Sequence, residues 1–150
     1  MGNTYTRIIY QVVFSTKHRQ PTLWKPRRAD LFAYMGQTLK NKKCFVYRVG
    51  GVDDHVHLVF ALHPTVALSD LVKDIKLAAS DWMKNNPTFF PAFDYWQGGY
   101  GAFTYTKEAL PNLIRYVDNQ EAHHDTESSR DELRRLLTEH GIEIDDRYFC

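Results

Sequence analysis

Cysteine is nearly missing from this 150-residue chain: Cys44 and Cys150 are the only two. Two distant thiols make neither a disulfide framework nor a zinc knuckle, and they suit a reducing compartment. Long apolar runs are missing as well, and Met1-Gly2-Asn3-Thr4 does not open a signal peptide. The expectation is a cytoplasmic protein with no membrane partner. No repeat, low-complexity tract or linker interrupts the chain, so residues 1–150 read as one domain with a full core. Acidic residues are scarce in one place. Residues 1–50 hold ten Lys/Arg against a single acid, Asp30, although the whole chain carries a net charge of only +1. A basic first third hints at an anionic polymer as partner, because Lys and Arg neutralise phosphates; a solvated basic surface is the plain alternative.

What is present alternates between strand and helix patterns. Tyr5 to Ser15 puts Ile8, Tyr10, Val12 and Phe14 on one face and Arg7, Ile9, Gln11, Val13 and Ser15 on the other, a strand apolar enough to be central. Lys17-His18-Arg19-Gln20-Pro21 is a basic turn. Pro26 then suits the first turn of a helix over about 27–42, with Leu31, Phe32, Met35 and Leu39 as its buried stripe. Cys44 to Val49 is a second strand, Gly50-Gly51 turns the chain, and a third strand returns through His55-Val56-His57-Leu58-Val59-Phe60. A helix follows over about 67–84, with Lys73 and Lys76 off its apolar stripe. The aromatic run Phe89, Phe90, Phe93, Tyr95 and Trp96 is either core or a stacking surface for unpaired bases. Ala102 to Tyr105 reads as a fourth strand. Another helix runs through Tyr116 to about His124, its start blurred by Pro111. Ser129-Arg130-Asp131-Glu132 reads as a capping box opening a last helix, with Leu133, Leu136 and Leu137 inward and Gly141 as its stop; an irregular tail closes the chain. This order predicts an α+β, ferredoxin-like antiparallel sheet with helices packed on it, the layout that RNA-recognition (RRM-like) sheets share.

Two features carry chemistry. Strand side chains alternate, so His55 and His57 share one face, where two imidazoles can hold one divalent cation; a solvated pair of histidines is the bland alternative. Tyr116 and Gln120 lie four apart and share a helix face. A tyrosine hydroxyl is a usable nucleophile, but its ordinary pKa near 10 calls for help, which a cation polarising a phosphate supplies. A carboxamide oxygen such as that of Gln120 can be a third ligand.

His55-Val56-His57 followed by Tyr116-x-x-x-Gln120 resembles the single-tyrosine HUH transposases of bacterial insertion sequences, the IS two-hundred type, with Val56 as the bulky central residue. The likeness extends through Phe14-Ser15-Thr16-Lys17-His18-Arg19, Gly51-Val52-Asp53-Asp54, Trp96-Gln97-Gly98-Gly99-Tyr100-Gly101-Ala102-Phe103, Tyr116-Val117-Asp118-Asn119-Gln120-Glu121-Ala122-His123-His124 and the tail from Gly141 to Tyr148. The resemblance implies an HUH endonuclease fold and a metal-dependent single-strand DNA endonuclease and strand transferase. His55, His57 and Gln120 would hold Mg²⁺ or Mn²⁺, and Tyr116 would attack a DNA phosphate, leaving a 5′-phosphotyrosine and a free 3′-hydroxyl. Its partners would be single-stranded DNA with hairpin ends and a second copy in a homodimer, in which the tyrosine helix of one subunit often serves the histidines of the other. No nucleotide cofactor is expected, and the place of action would be the bacterial nucleoid. Lys17, Arg19, Arg27, Arg28, Lys73 and Lys76 are the DNA-facing candidates, while His123 and His124 would sit near the metal, aid proton transfer or, the favoured expectation, only end a helix. Two other readings stand beside this one. Gly99 to Tyr105 loosely resembles the aromatic strand of an RNA-recognition sheet, which suggests a non-catalytic single-stranded nucleic-acid binder. A domesticated relative that processes chromosomal palindromes would carry the same residues.

Overall fold

A computed structural model describes residues 2–145. Its elements run β1 (Ile9–Ser15), α1 (Lys25–Asn41), β2 (Phe45–Gly51), β3 (His55–Ala61), α2 (Leu68–Asn85), β4 (Gly101–Tyr105), α3 (Leu110–Asp118), α4 (Gln120–His123) and α5 (Ser129–Glu139). All four strands pair antiparallel in one sheet ordered β2-β3-β1-β4, the ferredoxin-like arrangement expected. The two β-branched, apolar strands β1 and β3 take the centre.

Alternation gives the sheet two different faces. On one, Val12, Phe14, Val56, Leu58 and Phe60 meet Leu31, Met35 and Leu39 of α1 and Leu71, Ile75 and Ala79 of α2. Each such side chain, fully buried, contributes about 1.5–3 kcal/mol, so this layer dominates the stability of the fold. The opposite face carries two smaller apolar patches. Ile9 and Val59 pack on Leu113 and Val117 of α3, and Val13 and Phe103 pack on Leu136 of α5. Between the patches lies a polar strip made of Gln11, His55 and His57, all fully buried.

Several boundaries differ from the sequence reading. Residues 5–8 are not strand; β1 pairs only from Ile9. The glycines do not make the hairpin turn. β2 runs on through Gly51, which pairs with Val56, and Val52-Asp53-Asp54 turns instead. Gly50 serves a different purpose: a Cβ there would stand 2.7 Å from Val117 Cγ1, so only glycine lets α3 settle on β2. Pro111 lies in the first turn of α3, where its missing N–H costs nothing. The expected single helix from Tyr116 to His124 breaks at Asn119, whose φ/ψ of −96°/17° leave the helical region. The capping box is displaced as well. Ser128, not Ser129, caps α5 by accepting from the Asp131 N–H, and Glu132 turns inward. The aromatic run proves mostly core: Phe90 and Trp96 are buried, and Trp96 stands edge-on to Phe14 with ring centroids 4.9 Å apart. Tyr95 and Tyr100 remain exposed. Of the tail, residues 146–150 lie outside the described residues.

Candidate active site

β3 delivers His55 and His57 to the polar strip, and backbone register fixes what flanks them: Ser15 pairs with His55, and Val13 and Gly50 pair with His57. Their outward ring nitrogens are both held. His55 Nδ1 donates to Asp54 Oδ1 at 2.7 Å, and Ser129 Oγ donates to the other oxygen of that carboxylate. His57 Nδ1 donates to Gln11 Oε1 at 2.7 Å, while Gln11 Nε2 donates to the Tyr105 hydroxyl. Anchoring Nδ1 in this way aims each Nε2, the metal-binding nitrogen, into the space under α3–α5.

Three further helices converge there. The break at Asn119 turns Gln120 inward, so its Oε1 stands 3.2 Å from His55 Nε2. His124 follows four residues on, its Nε2 3.0 Å from the same oxygen. α5 contributes Glu132, which is fully buried. Its Oε1 lies 3.0 Å from the Nε2 of both His55 and His57 and 3.1 Å from that of His124. Its Oε2 accepts from Gln120 Nε2 at 3.1 Å and from the Tyr116 hydroxyl. Arg135, one helical turn after Glu132, donates to the same hydroxyl at 2.7 Å. The Tyr116 ring is half-buried and stands 5.9 Å, edge-on, from His57. Nucleophile candidate and histidine pair therefore meet within one chain.

Electrostatics follow from burying one carboxylate among imidazoles. Burial opposes ionisation of Glu132, but hydrogen bonds from His124, His55 and His57 overcome it and hold the carboxyl far below its ordinary range. Burial also disfavours a charged His55, yet the Asp54 and Glu132 carboxylates outweigh it and lift this imidazole to about 9. His57, without a second carboxylate, is pushed down to about 4 by burial. Burial first, then the Glu132 carboxylate, push the Tyr116 phenol above its usual value, and Arg135 opposes them.

The donor set fits a divalent cation: two anchored imidazoles, a carboxamide oxygen and a carboxylate oxygen within ligand spacing, with His55, His57 and Glu132 forming one compact group. Two cavities flank it. One of about 250 Å³ is lined by Ser15, Arg19, His55, Gln97, Tyr100 and Ser129, and one of about 410 Å³ lies against His124, Asp54 and Arg28.

The basic candidates are less uniform. Arg28 is buried, donating twice to the Leu23 carbonyl and once to Glu121, so its charge serves the fold. Lys76 donates to the carbonyls of Gln97 and Gly99, which pins the loop after Trp96 and leaves the ammonium half-buried. Lys17 lies over the Tyr95 ring, and Arg27 over Phe89 while paired to Asp30. Lys73 and Lys76 both line the surface groove beside Tyr95 and Tyr100. The Lys17-His18-Arg19 turn holds His18 and Arg19 at φ of 54° and 51°, a left-handed pair uncommon outside glycine, beside the Gln97 side chain that accepts from the His18 N–H.

The family model described as "Transposase IS200 like" matches residues 4–120. This chain belongs to the IS200-like transposase family. Among solved structures, a presumed transposase from Deinococcus radiodurans R1 is similar at 21% identity, covering 80% of this chain and 96% of its own, with a TM-score of 0.61. A REP-associated tyrosine transposase bound to a REP hairpin is similar at 11% identity, covering 83% of this chain and 73% of its own, with a TM-score of 0.60. At these identities the likeness concerns the fold. No curated protein sequence matches the chain. No helix among the described residues is long and apolar enough to cross a membrane. The family match stops at Gln120, so His124, Glu132 and Arg135 lie beyond it. Sequence reasoning passed over Glu132 and Arg135 as site residues and left His124 open, with a helix end favoured. His124 resembled a helix end, and Glu132 fitted a capping pattern; only the fold of α5 across the sheet brings them to the histidines.

Proposed function

We propose that this chain cuts and rejoins single-stranded DNA beside hairpins, using Tyr116 as nucleophile and a divalent cation, Mg²⁺ or Mn²⁺, held by His55, His57 and Gln120. The observation that carries this reading is the meeting of the Tyr116 hydroxyl with the His55/His57 pair inside one chain of a transposase family. When bound, the cation supplies Lewis-acid polarisation of the scissile phosphate. The residues supply the rest. Tyr116 attacks phosphorus, its hydroxyl aimed by the hydrogen bond to Glu132, and its phenolic proton leaves to water. The bond to the 3′-oxygen breaks, giving a 5′-phosphotyrosine and, once that oxygen takes a proton, a free 3′-hydroxyl. The phosphodiester energy stays in the covalent link, so rejoining by a 3′-hydroxyl needs no nucleotide cofactor. Arg135, donating to the phenol oxygen, favours the phenolate over the phenol. In this reading Lys17, Arg19, Arg27 and Lys73 meet the DNA backbone, and the exposed Tyr95 and Tyr100 take unpaired bases. The homodimer implied by the resemblance stays in this reading, but each subunit's Tyr116 serves its own histidines.

Single-stranded oligonucleotides spanning both flanks of the gene, with Mg²⁺ or Mn²⁺, test this. The expected result is a covalent adduct that runs slowly on a denaturing gel and is absent with Tyr116→Phe. An adduct persisting in that variant removes the nucleophile assignment, and binding without cleavage at any cation concentration favours the non-catalytic binder. The solved neighbour bound to a REP hairpin supports a second reading, a domesticated enzyme that processes dispersed palindromes. Cleavage of isolated chromosomal hairpins, with no paired hairpins flanking the gene, separates it from a mobile element.

A further inference from the structure

We infer that His124 and Glu132 are themselves metal ligands, so that the cation centre of the transposase reading above is built from three imidazoles and a carboxylate beside Gln120, and that it takes a first-row transition ion in preference to Mg²⁺. The spacing supports this directly. Oxygen and nitrogen donors sharing one cation at about 2.1 Å in octahedral geometry stand about 3.0 Å apart. The five contacts here are Glu132 Oε1 to His55, His57 and His124 Nε2 at 3.0, 3.0 and 3.1 Å, and Gln120 Oε1 to His55 and His124 Nε2 at 3.2 and 3.0 Å. Every one falls at that separation, and Glu132 is common to the His55/His57 group and to the His123/His124 group of donors.

Hydrogen bonding alone accounts for the cluster poorly. His55 and His57 already spend their Nδ1 protons on Asp54 and Gln11. A neutral ring then has a bare Nε2, and bare nitrogens around a carboxylate oxygen repel it. Satisfying all three contacts with protons would need two doubly protonated rings, buried and adjacent, and one oxygen accepting three hydrogen bonds. A single divalent cation satisfies every lone pair at once. Glu132 Oε2 then stays free for the Tyr116 phenol and Gln120, so one carboxylate couples cation and nucleophile.

Donor type sets the selectivity. Imidazole nitrogens favour ions such as Co²⁺, Ni²⁺ and Zn²⁺, whereas Mg²⁺ prefers oxygen ligands and keeps several waters. Three imidazoles, two of them fully buried, take up positions that such waters would need.

Co²⁺ titration of the full-length chain, followed by calorimetry and by visible d–d absorption, tests the assignment. The expected result is one ion per chain, with a band that a hundredfold excess of Mg²⁺ leaves in place. His124→Ala and Glu132→Gln should each weaken binding more than tenfold and shift the band. His124 lies at the rim of the cluster and is the variant least able to disturb folding, which near-ultraviolet circular dichroism in EDTA checks. Unshifted bands and unchanged or tighter binding in both variants overturn the proposal, while leaving a centre of His55, His57 and Gln120 intact. Displacement of Co²⁺ by the Mg²⁺ excess overturns the selectivity. Failure of the unmodified chain to bind Co²⁺ overturns the proposal as a whole, whereas the Tyr116 adduct assay reports on the transposase reading separately.

Discussion

Asp54 shows how much of this site rests on residues that touch no substrate. It binds His55 Nδ1 with one oxygen and the Ser129 hydroxyl with the other, fixing both ring tautomer and the start of α5. Partners of this kind tune metal affinity, and Asp54→Asn is expected to weaken cation binding by about 10- to 100-fold with Tyr116 untouched, as measured by calorimetry. Arg135 acts on the other half of the site. Its hydrogen bond to the Tyr116 oxygen opposes the upward push of burial and of Glu132 on the phenol. Arg135→Ala is expected to slow adduct formation by about tenfold, the scale of one charge-assisted hydrogen bond in a half-exposed setting, in a single-turnover assay. The cation-free chain carries its own pH signature. His55 is raised to about 9, so its stabilising contribution is full below its unfolded value near 6.5 and is lost as pH climbs through 9. His57, depressed to about 4, works the other way: the fold loses stability as pH drops from about 6.5 toward 4. In EDTA, thermal melts should therefore peak near pH 6–7 and decline on both sides.

At the level of elements, the closeness of α3 to the sheet decides where Tyr116 stands. Gly50 makes that approach possible, since any Cβ would collide with Val117, one residue past the tyrosine. Gly50→Ala is expected to cost about 1–3 kcal/mol in denaturant unfolding, by overpacking, and to lower adduct yield through a displaced phenol. α5 holds the other side. Its apolar stripe docks Leu136 against Val13 and Phe103, and the same helix swings Glu132 into the imidazoles. Register along α5 explains why the capping-box reading fails. A capping box needs its glutamate at the third helical position, but with Ser128 as the cap that position is Asp131; Glu132, one residue on, meets three imidazoles and a phenol instead.

For the whole molecule, the two faces of the sheet divide the work. The face under α1 and α2 is a continuous apolar core; the face under α3–α5 gives up its middle to polar groups and keeps apolar patches only at the two ends. Within one chain the Tyr116 ring already stands beside His57. A mixture of Tyr116→Phe and His57→Ala chains is accordingly expected to form no covalent adduct; recovery of adduct on mixing would show that tyrosine and histidines act across a subunit boundary.

The sequence by itself determined the architecture. Strand alternation, helix periodicity and turn residues are local signals, and they sufficed for the ferredoxin-like order and for placing His55 and His57 on one face; the shared helix face read for Tyr116 and Gln120 is broken at Asn119, and the break is what turns Gln120 inward. Arg28 and Lys76 show where local signals stop: both read as solvent-facing cations, and both are held by carbonyls that come close only after folding. The tertiary structure alone decided that Glu132 and His124 join the histidines. Glu132 is 75 residues from His57, and their meeting depends on how α5 crosses the sheet, which no spacing along the chain encodes.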